Sequence, residues 1–211
     1  MLELLERRGI HDRCVLAAMT YVPREPFVSG DDVLEAYADH PLAIGHGQTL
    51  SQPYIVALML QALQLQGNEH VLEIGTGSGY TTAVLSELAA HVYTVERDPM
   101  LASTARARLV ALGYDGIDVT CHDGTLGWIE HAPYDAIVVA AGGPEIPDAL
   151  IEQLAVGGRL VMPVGSRHEQ ILTLVIKTAD RENTIKQLGA VALVPLVGVQ
   201  GFPEPERLDS E

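Results

Sequence analysis

The sequence predicts an α/β fold with a mostly parallel, doubly wound sheet, an N-terminal helical cap and a C-terminal antiparallel hairpin. From residue 70 onward, short apolar segments alternate with helical patterns, which is typical of strands joined by crossover helices. A glycine-rich turn at residues 75–79 follows the first apolar segment. After Gly165, two strand-like segments follow each other without a long helix between them, which indicates an antiparallel hairpin at the sheet edge.

The residues before 66 are expected to cover the sheet rather than to fold on their own. Helices are predicted at residues 2–8, 12–21 and about 54–65. Gly9 separates the first two helices, and Asp12 is a plausible N-cap of the second. A loop is expected from Pro41 to Gly47.

The rest of the chain is expected to supply the sheet. Strands are predicted near residues 70–75, 91–95, 117–122, 134–140 and 158–163, helices near 79–90, 99–112 and 145–154, and hairpin strands at 170–176 and 184–194. Turn-forming residues at 180–183 would close the hairpin. We therefore expect one domain over residues 1–202, with the cap in 1–66 and the core in 67–202. A disordered acidic tail is expected at 203–211.

Composition and charge exclude several kinds of partner. The chain has 211 residues, of which 47% are hydrophobic, enough for one sizeable core. Its net charge of −15 argues against nonspecific binding of nucleic acid or of an anionic membrane surface. The histidines and the two cysteines, Cys14 and Cys121, show no metal-ligand spacing. This spacing predicts no metal site. Free thiols and the lack of a long apolar segment predict a cytoplasmic protein.

The glycine-rich turn indicates what kind of ligand binds there. Its glycines at 75, 77 and 79 do not match the G-x-G-x-x-G spacing of dinucleotide-binding proteins, and the turn contains no lysine or arginine. Glu73, just before the turn, would repel a phosphate. A carboxylate at this position suits a positively charged ligand end, such as the amino acid portion of S-adenosylmethionine. The spacing therefore favours a methyl-donor site over an NAD site or an ordinary strand–helix turn.

Acidic residues also follow the next two strands. Glu96 closes the strand at residues 91–95, where an acid is expected to accept ribose hydroxyl groups. Asp123 and Gly124 follow the third strand, where they could bind an adenine amino group and let the ring lie against the backbone. A simple turn is the alternative, since Asp-Gly is a common turn pair.

Ser51 is open to three interpretations. No G-x-S-x-G motif surrounds it, which argues against a nucleophilic serine. It could cap the helix that begins near Gln52, or place its hydroxyl at a methyl-transfer centre. The residues alone favour capping, and the two roles are compatible.

Taken together, these segments resemble the protein-L-isoaspartate O-methyltransferases. The matching segments are residues 22–24, 27–28, 36–37, 39, 41–45, 47–53, 71–80, 92–96, 123–124, 134–135, 153–154, 157–160, 163–165, 194–198 and 201–202. The Thr-x-Ser-x-Pro segment from Thr49 to Pro53 is the specific part, because the glycine turn occurs in methyltransferases generally. The resemblance implies a Rossmann-like class I S-adenosylmethionine-dependent methyltransferase fold.

The resemblance also implies the reaction and the site. It makes Ser51 the catalytic position and isoaspartyl-containing proteins and peptides the substrates, with D-aspartyl residues as a possible second class. S-adenosyl-L-methionine would bind Gln48, Thr49, Leu50, Ser51, Glu73, Gly75, Thr76, Gly77, Ser78, Gly79, Glu96, Arg97, Asp123 and Gly124. The segment at 194–202 is expected to line the cleft. A monomer is the expected oligomeric state.

The expected reaction needs no general base. An isoaspartyl α-carboxyl has a pKa of about 3.5 and is ionised at neutral pH. Three alternative functions stay open. The first is methylation of an aspartate in a modified peptide or of a small carboxylic acid, and the second is binding of S-adenosylmethionine without turnover. The third is an NAD-dependent oxidoreductase, which the glycine spacing disfavours.

Overall fold

The structure is a computed structural model that describes residues 1–28, 30–179 and 182–204, with only the backbone of Asp31. The expected tail at 203–211 lies outside the described residues except for Pro203 and Glu204. The expected turn at 180–183 lies partly outside them.

The N-terminal residues form three helices and a small hairpin. The helices are α1 (Leu2–Arg7), α2 (Arg13–Tyr21) and α3 (Pro53–Leu63), and short 3-10 turns cover Glu25–Phe27 and Gly30–Glu35. Asp12 caps α2 as predicted, because its carboxylate accepts hydrogen bonds from the backbone N–H groups of Cys14 and Val15.

The predicted loop from Pro41 to Gly47 is wrong in part, because strands β1 (Leu42–Gly45) and β2 (Gln48–Leu50) form an antiparallel hairpin there. Its turn contains three consecutive residues with positive φ, Gly45, His46 and Gly47. Glycine adopts this conformation without steric cost, and the two glycines make the tight reversal possible.

The large sheet has seven strands in the order β5-β4-β3-β6-β7-β8-β9. The strands are β3 (His70–Ile74), β4 (His91–Glu96), β5 (Ile117–Cys121), β6 (Tyr134–Val139), β7 (Leu154–Gly165), β8 (Gln170–Ile176) and β9 (Thr184–Val191). Strands β3 to β7 pair in parallel, whereas β8 pairs antiparallel with both β7 and β9. The predicted parallel core with a C-terminal antiparallel hairpin is therefore confirmed.

Three helices join the parallel strands: α4 (Tyr80–Ser86), α5 (Pro99–Ala111) and α6 (Asp148–Gln153). Helix α6 is shorter than predicted, because Pro147 disfavours a helical conformation at the preceding residue and itself becomes the N-cap. Strand β7 begins directly after α6, four residues before its predicted start, and Leu154 pairs with Tyr134 of β6.

The central strands are buried on both faces, with alternating residues in two separate cores. In β3, Val71 packs in the core formed with the N-terminal helices, whereas Leu72 and Ile74 pack in the core on the opposite face. Strand β6 alternates in the same way between Val138 and Val139. The carboxyl ends of these parallel strands meet at one edge of the sheet, where α/β proteins bind ligands. Within the described residues, no helix is long and apolar enough to cross a membrane.

Candidate active site

A cavity of about 360 Å³ lies at the carboxyl ends of β3, β4 and β6. Ile74, Val95 and Ala140 form its floor where these strands end. The cavity is lined by His46, Gly47, Gln48, Thr49, Leu50, Ser51, Ile74, Gly75, Thr76, Gly77, Ser78, Thr81, Val95, Glu96, Arg97, Gly124, Ala140, Ala141, Arg167, Val194, Pro195, Leu196, Val197 and Glu204. It thus brings the glycine turn, the Ser51 segment and the C-terminal segment together.

The glycine turn presents bare backbone to the cavity. Gly75 and Gly77 have φ values of +96° and +54°, a region that residues with a side chain rarely adopt. A Cβ at Gly77 would lie 3.3 Å from Ile44 Cδ1 in the hairpin. These glycines therefore let a ligand and the β1–β2 hairpin approach the turn closely. Gly79, the third predicted residue, is not among the described lining residues and instead forms the N-cap of α4.

Of the three acids predicted to bind the cofactor, Glu96 lines the cavity. It is 6% exposed, and its carboxylate accepts hydrogen bonds from the backbone N–H groups of Gly77 and Asp98, each at 2.9 Å. Each carboxylate oxygen has a second lone pair, so Glu96 can still accept hydrogen bonds from ligand hydroxyl groups. The contact with Gly77 also fixes this acid against the glycine turn.

Glu73, in β3 just before the glycine turn, is the acid predicted to contact a positively charged ligand end. Its carboxylate is fully buried and is not among the described lining residues. Oε2 accepts hydrogen bonds from Thr82 and Thr94, whereas Oε1 has no partner among the described residues. Burial raises the pKa of Glu73 to about 7. Glu73 thus lies beneath α4, where Thr82 donates to it, and its contact with the positively charged end of a ligand stays a prediction.

Asp123 is the acid predicted to bind the adenine amino group, and that contact stays a prediction. Its carboxylate accepts hydrogen bonds from Thr125 and from the backbone N–H of Val199 at 2.8 Å, and Asp123 is not among the described lining residues. Burial alone would raise the pKa of Asp123, but these hydrogen bonds outweigh it and lower the pKa. Asp123 thus holds the C-terminal segment, and only Gly124 of the predicted pair lines the cavity.

Ser51 lies in the cavity wall together with Gln48, Thr49 and Leu50. The capping interpretation of Ser51 is wrong, because α3 begins at Pro53 with Gln52 as its N-cap. The main-chain carbonyl of Ser51 accepts a hydrogen bond of 3.0 Å from the buried Arg24 side chain. The local backbone is therefore held from inside the protein, while the serine contributes to the cavity.

The C-terminal segment supplies wall residues that strand patterns did not reveal. Val194, Pro195, Leu196 and Val197 line the cavity, as the family resemblance suggested. The segment is attached to the sheet through Gly142, whose N–H donates to Val194 and whose carbonyl accepts from Leu196. Arg167 and the paired Arg97 and Glu204 lie at the same cavity. The contacts of Gly142 join residues more than 50 positions apart, and the family resemblance at residues 194–198 and 201–202 is the signal that pointed to this wall.

An open parallel sheet, a glycine turn without basic residues and a buried acid at the end of the next strand define a Rossmann-like methyltransferase. The model of the protein-L-isoaspartate(D-aspartate) O-methyltransferase family matches residues 1–201. The chain belongs to this family.

Individual relatives agree with the family match. A protein-L-isoaspartate O-methyltransferase of Rhodopseudomonas palustris is 54% identical over 200 residues, 94% of this chain and 92% of that protein. A solved structure of a protein-L-isoaspartate O-methyltransferase is 29% identical with a TM-score of 0.85, covering 95% of this chain and 66% of that one. A Plasmodium falciparum structure of the same family, in complex with S-adenosyl-L-homocysteine, is 27% identical with a TM-score of 0.81, covering 93% and 96%.

Proposed function

We propose that this chain transfers the methyl group of S-adenosyl-L-methionine to the free carboxyl group of L-isoaspartyl residues in damaged proteins and peptides. The backbone nitrogen of the following residue then attacks the ester carbonyl, methanol leaves, and a succinimide forms. Addition of water to the succinimide returns part of it to aspartate. The observation that carries this proposal is a cavity lined by both Ser51 and the glycine turn, in a chain that belongs to the isoaspartate methyltransferase family. D-aspartyl residues, which the family's name includes, are the second proposed substrate class.

The residues around the cavity fit S-adenosyl-L-methionine. Gly75 and Gly77 offer backbone without side chains, and Glu96 offers acceptors for ribose hydroxyl groups. Ile74 and Val95 present apolar surface for a flat ring next to Gly124. A Cβ at Gly124 would lie 2.5 Å from Ile74 Cγ2, so glycine is required for the strand end to pack here. The cofactor supplies an electrophilic methyl group.

Ser51 is proposed to orient the reacting carboxylate. The isoaspartyl carboxyl is ionised at neutral pH, so the protein needs to remove no proton. The Ser51 hydroxyl can donate one hydrogen bond that holds an oxygen of this carboxylate in line with the methyl group. Leu50 and Leu196, which are 4% and 5% exposed, help to exclude water from the cavity. A stronger donor would stabilise the carboxylate in its ground state and slow its attack.

The cellular setting is part of the same proposal. Both cysteines of the chain, Cys14 and Cys121, lie within the described residues as exposed free thiols. Free thiols suit the reducing cytoplasm, which is the proposed location. A monomer is the proposed oligomeric state, which sedimentation equilibrium tests.

Methyl transfer to two matched peptides tests the proposed function. The peptides share one sequence and differ only in an L-isoaspartyl or an L-aspartyl linkage at a single position. We expect transfer to the isoaspartyl peptide and at least a hundredfold lower kcat/KM with its aspartyl twin. Equal transfer to both peptides, or tight cofactor binding without any transfer, would refute the proposal.

A further inference from the structure

A second cavity, of about 500 Å³, lies next to the proposed methyl-transfer site. The two cavities share four lining residues, Thr49, Ser51, Ala140 and Val194. The second cavity is also lined by Arg8, Pro41, Gln52, Tyr54, Ile55, Ala190, Val191, Ala192 and Leu193. Because Ser51 belongs to both walls, a peptide in the second cavity can bring a carboxylate to the first.

Arg8 is the one charged side chain among the described residues that line the second cavity. Its guanidinium carbon lies 3.5 Å from the centroid of the Tyr54 ring, the geometry of a cation–π contact. Its Nη1 donates a hydrogen bond to Oδ2 of Asp39. Oδ1 of Asp39 in turn accepts the backbone N–H of Tyr54 at 3.2 Å. The guanidinium is thus fixed in position by two neighbours before any substrate arrives.

Arg8 keeps hydrogen-bonding capacity for a ligand. A guanidinium group carries five N–H donors, and among the described residues only Nη1 donates a side-chain hydrogen bond. The side chain is 39% exposed, whereas Asp39 is 16% exposed. Asp39 compensates part of the positive charge, so Arg8 acts through directed short-range hydrogen bonds rather than through long-range attraction. Carboxylates match the planar donor geometry of arginine.

We propose that Arg8 recognises a second carboxylate of the peptide substrate, on an acidic residue that flanks the isoaspartyl residue. This inference rests on the proposed function. Arg8 is not among the described residues that line the first cavity, so it is separated from the carboxylate that receives the methyl group. Pairing an arginine with the reacting carboxylate would also lower its reactivity. An extended peptide spans roughly 3.3 Å per residue, so the recognised acid lies within a few positions of the reacting one.

A peptide series tests this role. Each isoaspartyl peptide carries either Glu or Gln at one of the three positions before or the three positions after the isoaspartyl residue. The values of kcat and KM are measured with each peptide for the wild-type protein and for R8Q, R8K and R7Q. Arg7 is the matched control, because it is the exposed last residue of α1, next to Arg8, but lines a different groove. The ratio of kcat/KM for the Glu and Gln peptides is taken within each variant, so a change in folded fraction cancels.

For the wild type and R7Q, we expect kcat/KM to be about threefold to tenfold higher for the Glu peptide than for the Gln peptide at one position. The difference should lie in a lower KM, with kcat unchanged. R8Q should bring this ratio to one, and R8K should keep part of it because the charge remains without the planar fork. A wild-type ratio of one at every position, or an unchanged ratio in R8Q, would overturn the role of Arg8. An equal rise in KM for Glu and Gln peptides in R8Q would also overturn it. Methylation of the Gln peptides reports the proposed function separately.

Discussion

The Arg24 side chain donates a hydrogen bond of 3.0 Å to the main-chain carbonyl of Ser51. Arg24 is fully buried and donates a second hydrogen bond to the main-chain carbonyl of Ala36. Its guanidinium carbon lies 4.4 Å from the centroid of the Tyr80 ring. Tyr80 is the first residue of α4, directly after the glycine turn. One buried cation therefore connects the segment that carries Ser51 with the helix that follows the cofactor turn.

Replacing Arg24 is expected to reduce activity and stability together. Arg24→Lys keeps a charge but loses the planar donors that reach Ser51 and Ala36 at once. A buried acceptor left without a partner costs about 1–3 kcal/mol, so we expect a clearly lower free energy of unfolding and a kcat reduced by roughly tenfold or more. Urea unfolding and steady-state kinetics measure both, with the exposed Arg13→Lys as control. If Arg24→Lys had the kcat of the wild type, the hydrogen bond from Arg24 would not be needed to hold the Ser51 backbone in position.

Ser51→Ala separates a role in catalysis from a role in folding. Because Ser51 does not cap α3, we expect the free energy of unfolding to change by less than about 0.5 kcal/mol. Loss of the orienting hydrogen bond is expected to lower kcat by roughly tenfold to a hundredfold. Affinity for S-adenosyl-L-homocysteine, measured by calorimetry, should remain within about threefold of wild type. An unchanged kcat would exclude the proposed orienting role.

Glu96→Gln is expected to weaken cofactor binding. The glutamine loses the charge that strengthens hydrogen bonds from ligand hydroxyl groups and from Gly77, and such bonds contribute about 1.5–3 kcal/mol. Calorimetry with S-adenosyl-L-homocysteine should therefore show a Kd raised by roughly tenfold to a hundredfold. Glu204→Gln is the matched control, because its 69% exposed side chain pairs with Arg97 at the same cavity and should change Kd little. Equal effects of both substitutions would contradict the assignment to Glu96.

The raised pKa of Glu73 predicts a pH-dependent stability. Burial raises this pKa from 4.5 to about 7, so the folded state holds a proton that the unfolded state has released between these values. The wild type should therefore lose stability as the pH rises from about 4.5 through 7, by roughly 3 kcal/mol relative to Glu73→Gln, which cannot titrate. Urea unfolding of both proteins at several pH values gives this difference, in which other titrating groups cancel. A difference that is constant with pH would show that Glu73 stays ionised in the folded protein.

The sequence predicted the parallel core because its signals are local. The glycine turn marks the carboxyl end of β3, and Glu96 is the last residue of β4. The orientations of the acidic side chains were harder to predict, because a position near the end of a strand does not determine on which face of the sheet a side chain lies. Strand alternation could have placed Glu73, which shares its side of β3 with Val71 and therefore points towards the core under α4.

Long-range contacts account for what the sequence did not reveal. Asp123 was predicted from its place after β5, but its hydrogen-bonding partner, Val199, is 76 residues away. The wall formed by Val194 depends on another long-range hydrogen bond, which its carbonyl accepts from the backbone N–H of Gly142. The β1–β2 hairpin has strands of only four and three residues, too short for an alternation pattern to be recognised.

A crystal structure with S-adenosyl-L-homocysteine and an isoaspartyl peptide would test the central claim most directly. We predict the sulfur atom at the wall shared by the two cavities, beside Ser51, with the ribose on Glu96 and the peptide in the second cavity. S-adenosyl-L-homocysteine bound away from residues 75–79, or a Ser51 side chain turned away from the bound carboxylate, would contradict the account.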